Sequence, residues 1–332
     1  MQKRKYYKNI WADFNKEKEM ILISGARQAG KTTLAKDTAS EEPVSHYFNY
    51  AGRYLHFHLF PFTVGEISSS TIRQVAPEIL LEVPERNNLA REFWETTFQV
   101  SGFPEPCLKG TKLKYRRWAH SYHSQVIRDD IRNEFAVRHI DTMEALYALI
   151  TNCVGSPFSA SNQAAILKIS HNTVSTWITV FEQFFLVFKL RPHSKRISRS
   201  LVKEPKIYFY DYCRLQEEAL RFENMVAVEL NRAVTLWTDF GFGEYQLWFL
   251  RNKEKQEVDF LVTENDQPLF MVEAKFPDAA ISPNLIFVSD FDIRVSYFLR
   301  LHMFLPGSLE SFRVHHWKWW FNVGINAGEK DK

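Results

Sequence analysis

Apolar and polar positions alternate with three different textures along this chain. From residue 1 to about 70, short apolar runs flank a Gly-containing loop: Met20 to Ile23 (MILI) reads as a buried strand and KTTLAKDTA as a helix, while HYFNY and YLHFHLF read as further strands. From about 71 to 200 the apolar positions recur with a 3.6-residue period, as in TMEALYALITNCV and NTVSTWITVFEQFF, which predicts helices. Within it, residues 161 to 190 read as helix, turn, helix, strand. Ser170-His171-Asn172 forms a capping turn before Thr173, and Val174, Trp177, Ile178, Phe181 and Phe185 make one apolar face. From about 205 to 320 the texture is α/β. IYFYD, YQLWFL, EVDFLV and LFMVEAK are strand-like, and Phe222 to Trp237 is a predicted helix. Turn signals over Arg251 to Gln256 and Glu264 to Pro268 make three of these strands a meander.

Composition narrows the class. With 332 residues the chain is long enough for two or three domains, and 45% hydrophobic with 15% aromatic residues supplies their cores and excludes intrinsic disorder. There are 28 Phe and only 12 Gly, which speaks against long flexible linkers. The 42 Lys and Arg nearly balance the 39 Asp and Glu, so a nucleic-acid contact would need a local patch. The 3 cysteines, Cys107, Cys153 and Cys213, are isolated; they form no zinc-finger pair and suit a reducing compartment. The basic N-terminus has no apolar core like that of a signal peptide, and no apolar run is long enough to span a bilayer. The expectation is a cytoplasmic protein without a membrane partner.

Gly25-Ala26-Arg27-Gln28-Ala29-Gly30-Lys31-Thr32 is a complete G-x-x-x-x-G-K-[ST] between a predicted strand and a predicted helix. Glycines permit the backbone angles that turn successive N–H groups onto phosphate oxygens, and the helix N-terminus adds partial positive charge. Lys31 is expected to reach the β- and γ-phosphates of ATP, and the Thr32 hydroxyl to ligate Mg²⁺. Gly25, Gln28, Gly30, Lys31, Thr32 and Thr33 are the candidate nucleotide-binding residues. Hydrolysis also needs an acidic strand that holds Mg²⁺ and places water. IYFYD ends in Asp211 far downstream, Asp129 and Asp130 of QVIRDD read as helical, and only HYFNY and YLHFHLF fit as strands between Thr38 and Glu66. The core reads as shortened, which speaks against hydrolysis.

The third region carries a carboxylate-lysine pattern. Strand alternation puts Glu273 and Lys275 of LFMVEAK on one face, the turn brings Asp259 of EVDFLV onto the adjacent strand, and Glu223 sits on the preceding helix. Such oxygen ligands suit Mg²⁺, with Asp259 and Glu273 as metal ligands and Lys275 orienting the attacking water. The alternative is an ion network that supports the meander. Basic stretches stand elsewhere: Lys109, Lys112, Lys114, Arg116 and Arg117, and then Arg191, Lys195, Arg196, Arg199, Lys203 and Lys206; each reads as a phosphate contact or a solvated face. His56 and His58 share a strand face, read as exposed because no third metal ligand is evident.

Taken together, GARQAGKTTLAK, GRYLHFHLFPFTVGEI, SGFPEP, YRRWAHSYHSQVIRDDI, SKRISRSLVKEPKIYFYD, RFENMVAVEL and EVDFLV…EAK resemble the bacterial and archaeal AAA-type P-loop ATPases with a C-terminal PD-(D/E)xK nuclease-like domain of unknown function. The resemblance covers nearly the whole chain. It implies a shortened AAA-type α/β core (1–70), a helical lid (71–140), a winged-helix-like domain (141–204) and a PD-(D/E)xK-like α/β domain (205–325). Members carry Walker B and sensor strands where this chain runs from Tyr50 almost directly into Gly52, so the first strand is expected to pair with YLHFHLF, with or without HYFNY. The winged helix implied by the resemblance would offer His171, Asn172, Ser175 and Thr176 to DNA bases. Ring-forming relatives imply a homo-oligomer, with Arg128 or Arg132 placed at a neighbour's γ-phosphate. Two readings stay open: an ATP-binding protein acting on or regulating DNA, with or without Mg²⁺-dependent cleavage, and a non-catalytic nucleotide- or DNA-binding regulator or scaffold.

Overall fold

The computed structural model describes residues 20–39, 54–63, 88–135, 137, 139–193, 203–252, 254, 256–275 and 298–302. The predicted strand at 46–50 and the cations Lys195, Arg196 and Arg199 lie outside the described residues.

Strand β1 (Met20–Gly25), helix α1 (Lys31–Ala39) and strand β2 (Tyr54–Leu59) form the first unit. The two strands are parallel and in one-to-one register from Met20 opposite Tyr54 to Gly25 opposite Leu59. Among the described residues this sheet has two strands, matching the expected pairing of the first strand with YLHFHLF. Two strands are too few to be stable alone. The unit gains support from elsewhere: Leu34 and Leu59 are buried against Leu236 with Ile23 and Phe240 alongside.

Helices follow: α2 (Asn88–Val100), α3 (Pro104–Lys109), α4 (Lys112–Ser124), α5 (Ile140–Leu149), α6 (Ala160–Leu167) and α7 (His171–Gln183). Local chemistry sets their ends. Pro104 opens α3, where a missing N–H costs nothing, and Gly110 closes it in the left-handed region. Thr111 caps α4 by accepting from the Lys114 N–H. Ser170 caps α7 by accepting from the Thr173 N–H at 3.0 Å, as the sequence predicts. Val174, Trp177, Ile178 and Phe181 bury the predicted face of α7. Phe185 lies beyond its end with a left-handed φ of 54°, packed at the edge of the core rather than on the helix. Helix α4 runs on through a π-helical segment, Gln125–Ile131, into one further turn, Arg132–Phe135.

The remaining elements are β3 (Val187–Pro192), β4 (Lys206–Phe209), the long helix α8 (Glu218–Asp239), β5 (Tyr245–Arg251), β6 (Glu257–Glu264), β7 (Gln267–Lys275) and β8 (Phe298–His302). They build a six-stranded sheet in the order β4-β3-β5-β6-β7-β8. The meander β5-β6-β7 is antiparallel as predicted, and Asn265 and Asp266, both with positive φ, form the two-residue turn between β6 and β7. β3 pairs antiparallel with β4 and parallel with β5, so strands from either side of residue 204 share one sheet. One apolar core runs from Ala26 and Ala29 through Tyr122, Ile127 and Phe181 to Phe209 and Phe260. No helix among the described residues is long and apolar enough to cross a membrane.

Candidate functional site

The loop after β1 is built by its glycines. Gly25 has φ 149°, Gln28 60° and Gly30 96°, all outside the range that side chains favour. Gly25 is further constrained by β2: a Cβ there would lie 2.2 Å from the Leu59 carbonyl oxygen. Ala26 and Ala29 turn inward and are buried, and the Ala29 N–H closes the turn on the Ala26 carbonyl at 3.2 Å. The Lys31 ammonium folds back over the loop, donating to the Gly25 and Ala26 carbonyls at 2.6 and 2.8 Å. Partial burial lowers its pKa from the ordinary lysine value. Thr32 and Thr33 stand exposed on the first turn of α1. All six predicted nucleotide-binding residues therefore lie on one loop-to-helix turn, where first-turn N–H groups have no intrahelical acceptor.

Two contacts that local sequence pattern does not reveal tie this loop to the helical region. The Trp118 indole N–H donates to the Gln28 side-chain oxygen at 2.6 Å. Arg27 pairs with Asp130 of the π-helical segment, and that hydrogen bond raises the Arg27 pKa. A π turn adds one residue to a helix, and here it carries Asp130 to the loop. His56 is exposed as expected, but His58 departs from the expected exposed face. Its backbone N–H and ring Nδ1 meet Asp239 at 2.8 and 3.0 Å, which docks β2 onto the end of α8. Of the two arginines implied for a neighbouring subunit, Arg128 is held by Asp141 and Glu144, and Arg132 is exposed.

The acidic residues gather around an unexpected cation. Lys206 belongs to a stretch expected to face solvent, yet its side chain is 0% exposed. This corrects both readings of Lys206, as a phosphate contact and as part of a solvated face. Its ammonium lies 2.6 Å from Glu257 and 3.5 Å from Glu223, with the Phe249 ring 5.5 Å away. Burial disfavours the charge, but Glu223, Asp259 and Glu257 outweigh it and hold the pKa above the ordinary lysine value. Glu223 also accepts from the Tyr208 hydroxyl at 2.7 Å, and Gly155 approaches it closely enough that a Cβ would stand 3.0 Å away. Phe260 faces Val272 across β6 and β7, so the next step of the ladder sets Asp259 opposite Glu273. The Asp259 carboxylate accepts the Ala274 N–H at 2.8 Å, and Glu273 is buried. Glu273 and Lys275 pair in register with Arg300 and His302 of β8; the side chain of Lys275 lies outside the described structure. Among the described residues no three carboxylate, His or Cys groups are gathered so as to hold a metal ion. The only signal for Lys206 was a lone lysine heading the apolar strand KIYF.

A second buried polar group was also missed. His123 Nδ1 lies 3.1 Å from an Arg214 guanidinium nitrogen, and its Nε2 lies 3.3 Å from Asp211. Arginine can only donate, so Nδ1 accepts and the ring proton sits on Nε2, facing the carboxylate. Tyr115 donates to the same Asp211 oxygen at 3.0 Å, and Arg214 lies over the Tyr147 ring at 4.2 Å. Nδ1 is committed to Arg214, while the buried Nε2 faces Asp211 at ion-pair distance without forming a hydrogen bond, so the ring helps to order this part of the core.

A family model described as a domain of unknown function (DUF8612) matches residues 91–216. The match runs from α2 past β4 and includes the His123, Asp211 and Arg214 group, but neither the Gly25–Thr33 loop nor the acidic strands. No curated protein and no solved structure matches the chain.

Proposed function

We propose that this chain is a nucleotide-binding regulator that holds ATP on the Gly25–Thr33 loop without hydrolysing it. The observation that carries the reading is the loop's backbone. Positive φ values at Gly25, Gln28 and Gly30 lead into a helix N-terminus with Lys31 folded over the loop, an arrangement whose charge suits a phosphate. A phosphate oxygen would take the Lys31 ammonium from the two carbonyls that hold it, regaining the charge pairing that burial withholds. For Mg²⁺ the loop offers the Thr32 hydroxyl. β2 brings no carboxylate beside it, since His58 and Leu59 occupy the positions next to Ser24 and Gly25. The group that would hold Mg²⁺ and orient a water is therefore lacking on the paired strand, which supports binding without turnover.

The C-terminal sheet belongs to the same non-catalytic reading. Its helix Glu, strand Asp and strand Glu occur in the PD-(D/E)xK order, but the Lys206 ammonium lies among Glu223, Glu257 and Asp259. Glu223 is paired with Lys206 and Asp259 accepts the Ala274 N–H, which supports a structural role for these carboxylates over a metal-binding one. Helices α6 and α7 followed by the β3–β4 hairpin support a winged-helix reading for residues 160–209, with His171, Asn172 and Thr176 exposed at the start of α7.

Calorimetric titration with Mg-ATP, beside a Lys31→Ala control, tests this. Micromolar binding that weakens at least tenfold in the variant, with no phosphate release, is the expected result. Lack of binding by the parent chain would sink the nucleotide reading, and sustained phosphate release lost in Lys31→Ala would overturn the non-hydrolysing part.

A further inference from the structure

The solvent side of α3 and α4 is a concentrated cationic surface. From Pro106 to Arg128 the sequence contains no acidic residue. Tyr115, Trp118 and Tyr122 turn the apolar side of α4 into the core. That fixes the opposite side: Lys112, Lys114, Arg116, Arg117 and His120 are all exposed, with Lys109 just ahead of them on α3.

Three observations set this face apart from an ordinary solvated helix. First, it is unneutralised. Arg27, Arg128, Arg232 and Arg251 each hold a carboxylate, and Lys109 holds Glu105, whereas Lys112, Lys114, Arg116 and Arg117 make no ion pair among the described residues. Second, the arrangement costs helix stability. Lys112, Arg116 and His120 follow one another at i,i+4 spacing, where like charges repel, and two lysines in the first turn oppose the helix dipole. Third, large apolar side chains stand within the face: Leu113 is 61% and Leu108 is 54% exposed.

We infer that this face binds the phosphodiester backbone of a nucleic acid. Adjacent guanidinium forks at Arg116 and Arg117 match phosphate geometry, and clustered cations gain affinity by releasing counterions from a polyanion. Helix α7, the element in which the resemblance places base contacts, contains no Lys or Arg and cannot provide that gain. A membrane occupant is less well served, because only Leu108 and Leu113 would enter the bilayer while the aromatic side of α4 stays in the protein core. The surface goes beyond the nucleotide reading and does not depend on it. Trp118 meets the loop from the other side of the same helix.

The test is fluorescence anisotropy of labelled, sequence-random duplex DNA, single-stranded DNA and RNA with the full chain, between about 50 and 200 mM salt. Binding should fall steeply with salt. The double variant Arg116→Gln with Arg117→Gln should flatten the logarithmic salt slope by about 2 and weaken binding roughly tenfold at low salt. Unchanged circular dichroism and an unchanged Mg-ATP titration would show that the variant still folds. Lys31→Ala should leave nucleic-acid binding intact, so failure of the loop reading and failure of this one are separable. The three probes identify which nucleic acid is preferred. The inference is overturned if the chain binds none of them, if binding is indifferent to salt, or if the double variant binds as the parent does. Tighter capture by phosphatidylserine vesicles, lost in the same variant, would reassign the face to a lipid surface.

Discussion

Lys206 carries its charge beneath the sheet surface, beside Glu223, Glu257 and the Phe249 ring. Its ammonium has 0% exposure and depends on Glu223 and Glu257 for its compensation. A buried ion pair broken from one side leaves an uncompensated charge, at about 3–5 kcal/mol, and here the carboxylates retain some solvent, so the low end applies. Lys206→Met should destabilise the fold by about 3 kcal/mol in urea titration, and adding Glu223→Gln should recover part of that. A Lys206→Met chain as stable as the parent would show that the network is dispensable. His123 makes a prediction about pH. Burial lowers its pKa below the ordinary histidine value, so the folded chain keeps it neutral while the unfolded chain protonates near 6.5. Below that pH the unfolded state binds the extra proton, and stability declines as pH falls, by at most about 1.4 kcal/mol per pH unit from this group. Unfolding midpoints at mildly acidic and neutral pH should differ less in His123→Gln than in the parent; equal slopes would count against the neutral, buried ring. None of these pairings was legible in the sequence, because a lysine at a strand start and a histidine in a basic helix both read as solvated until their partners, 17 and 88 residues further on, are brought close.

At the scale of elements, legibility followed locality. The α7 cap, its buried face as far as Phe181, the meander turns and the strand-loop-helix around Gly25 to Lys31 depend on residues within a few positions, and each appears where the pattern put it. Ser170→Ala should cost about 1 kcal/mol, measured by urea unfolding, since the Thr173 N–H loses its acceptor. A change under a few tenths of a kcal/mol would mean that water replaces the cap without loss. The π turn at Gln125–Ile131 was not legible, because an apolar period alone does not distinguish 3.6 from a local excursion. Its effect is felt at the loop, through Asp130 and Arg27.

For the whole molecule, the α/β and helical textures were legible and the pairing of strands was not. Periodicity says which side of a strand is buried, not which strand lies beside it, so β3 was assigned with the helices before it while its hydrogen bonds go to β4 and β5. The same limit hid the docking of the small N-terminal sheet on the end of α8.

That docking has a consequence for the order in which the protein comes into being. His58 meets Asp239 across 181 residues of sequence. A ribosome adding roughly 5–20 residues per second needs on the order of ten to forty seconds to cover that interval. Throughout it the two parallel strands have been made but their support has not emerged. The Gly25–Thr33 loop is thus made well before the helix end that supports it, and the nucleotide binding proposed for it would mark a chain already translated past α8.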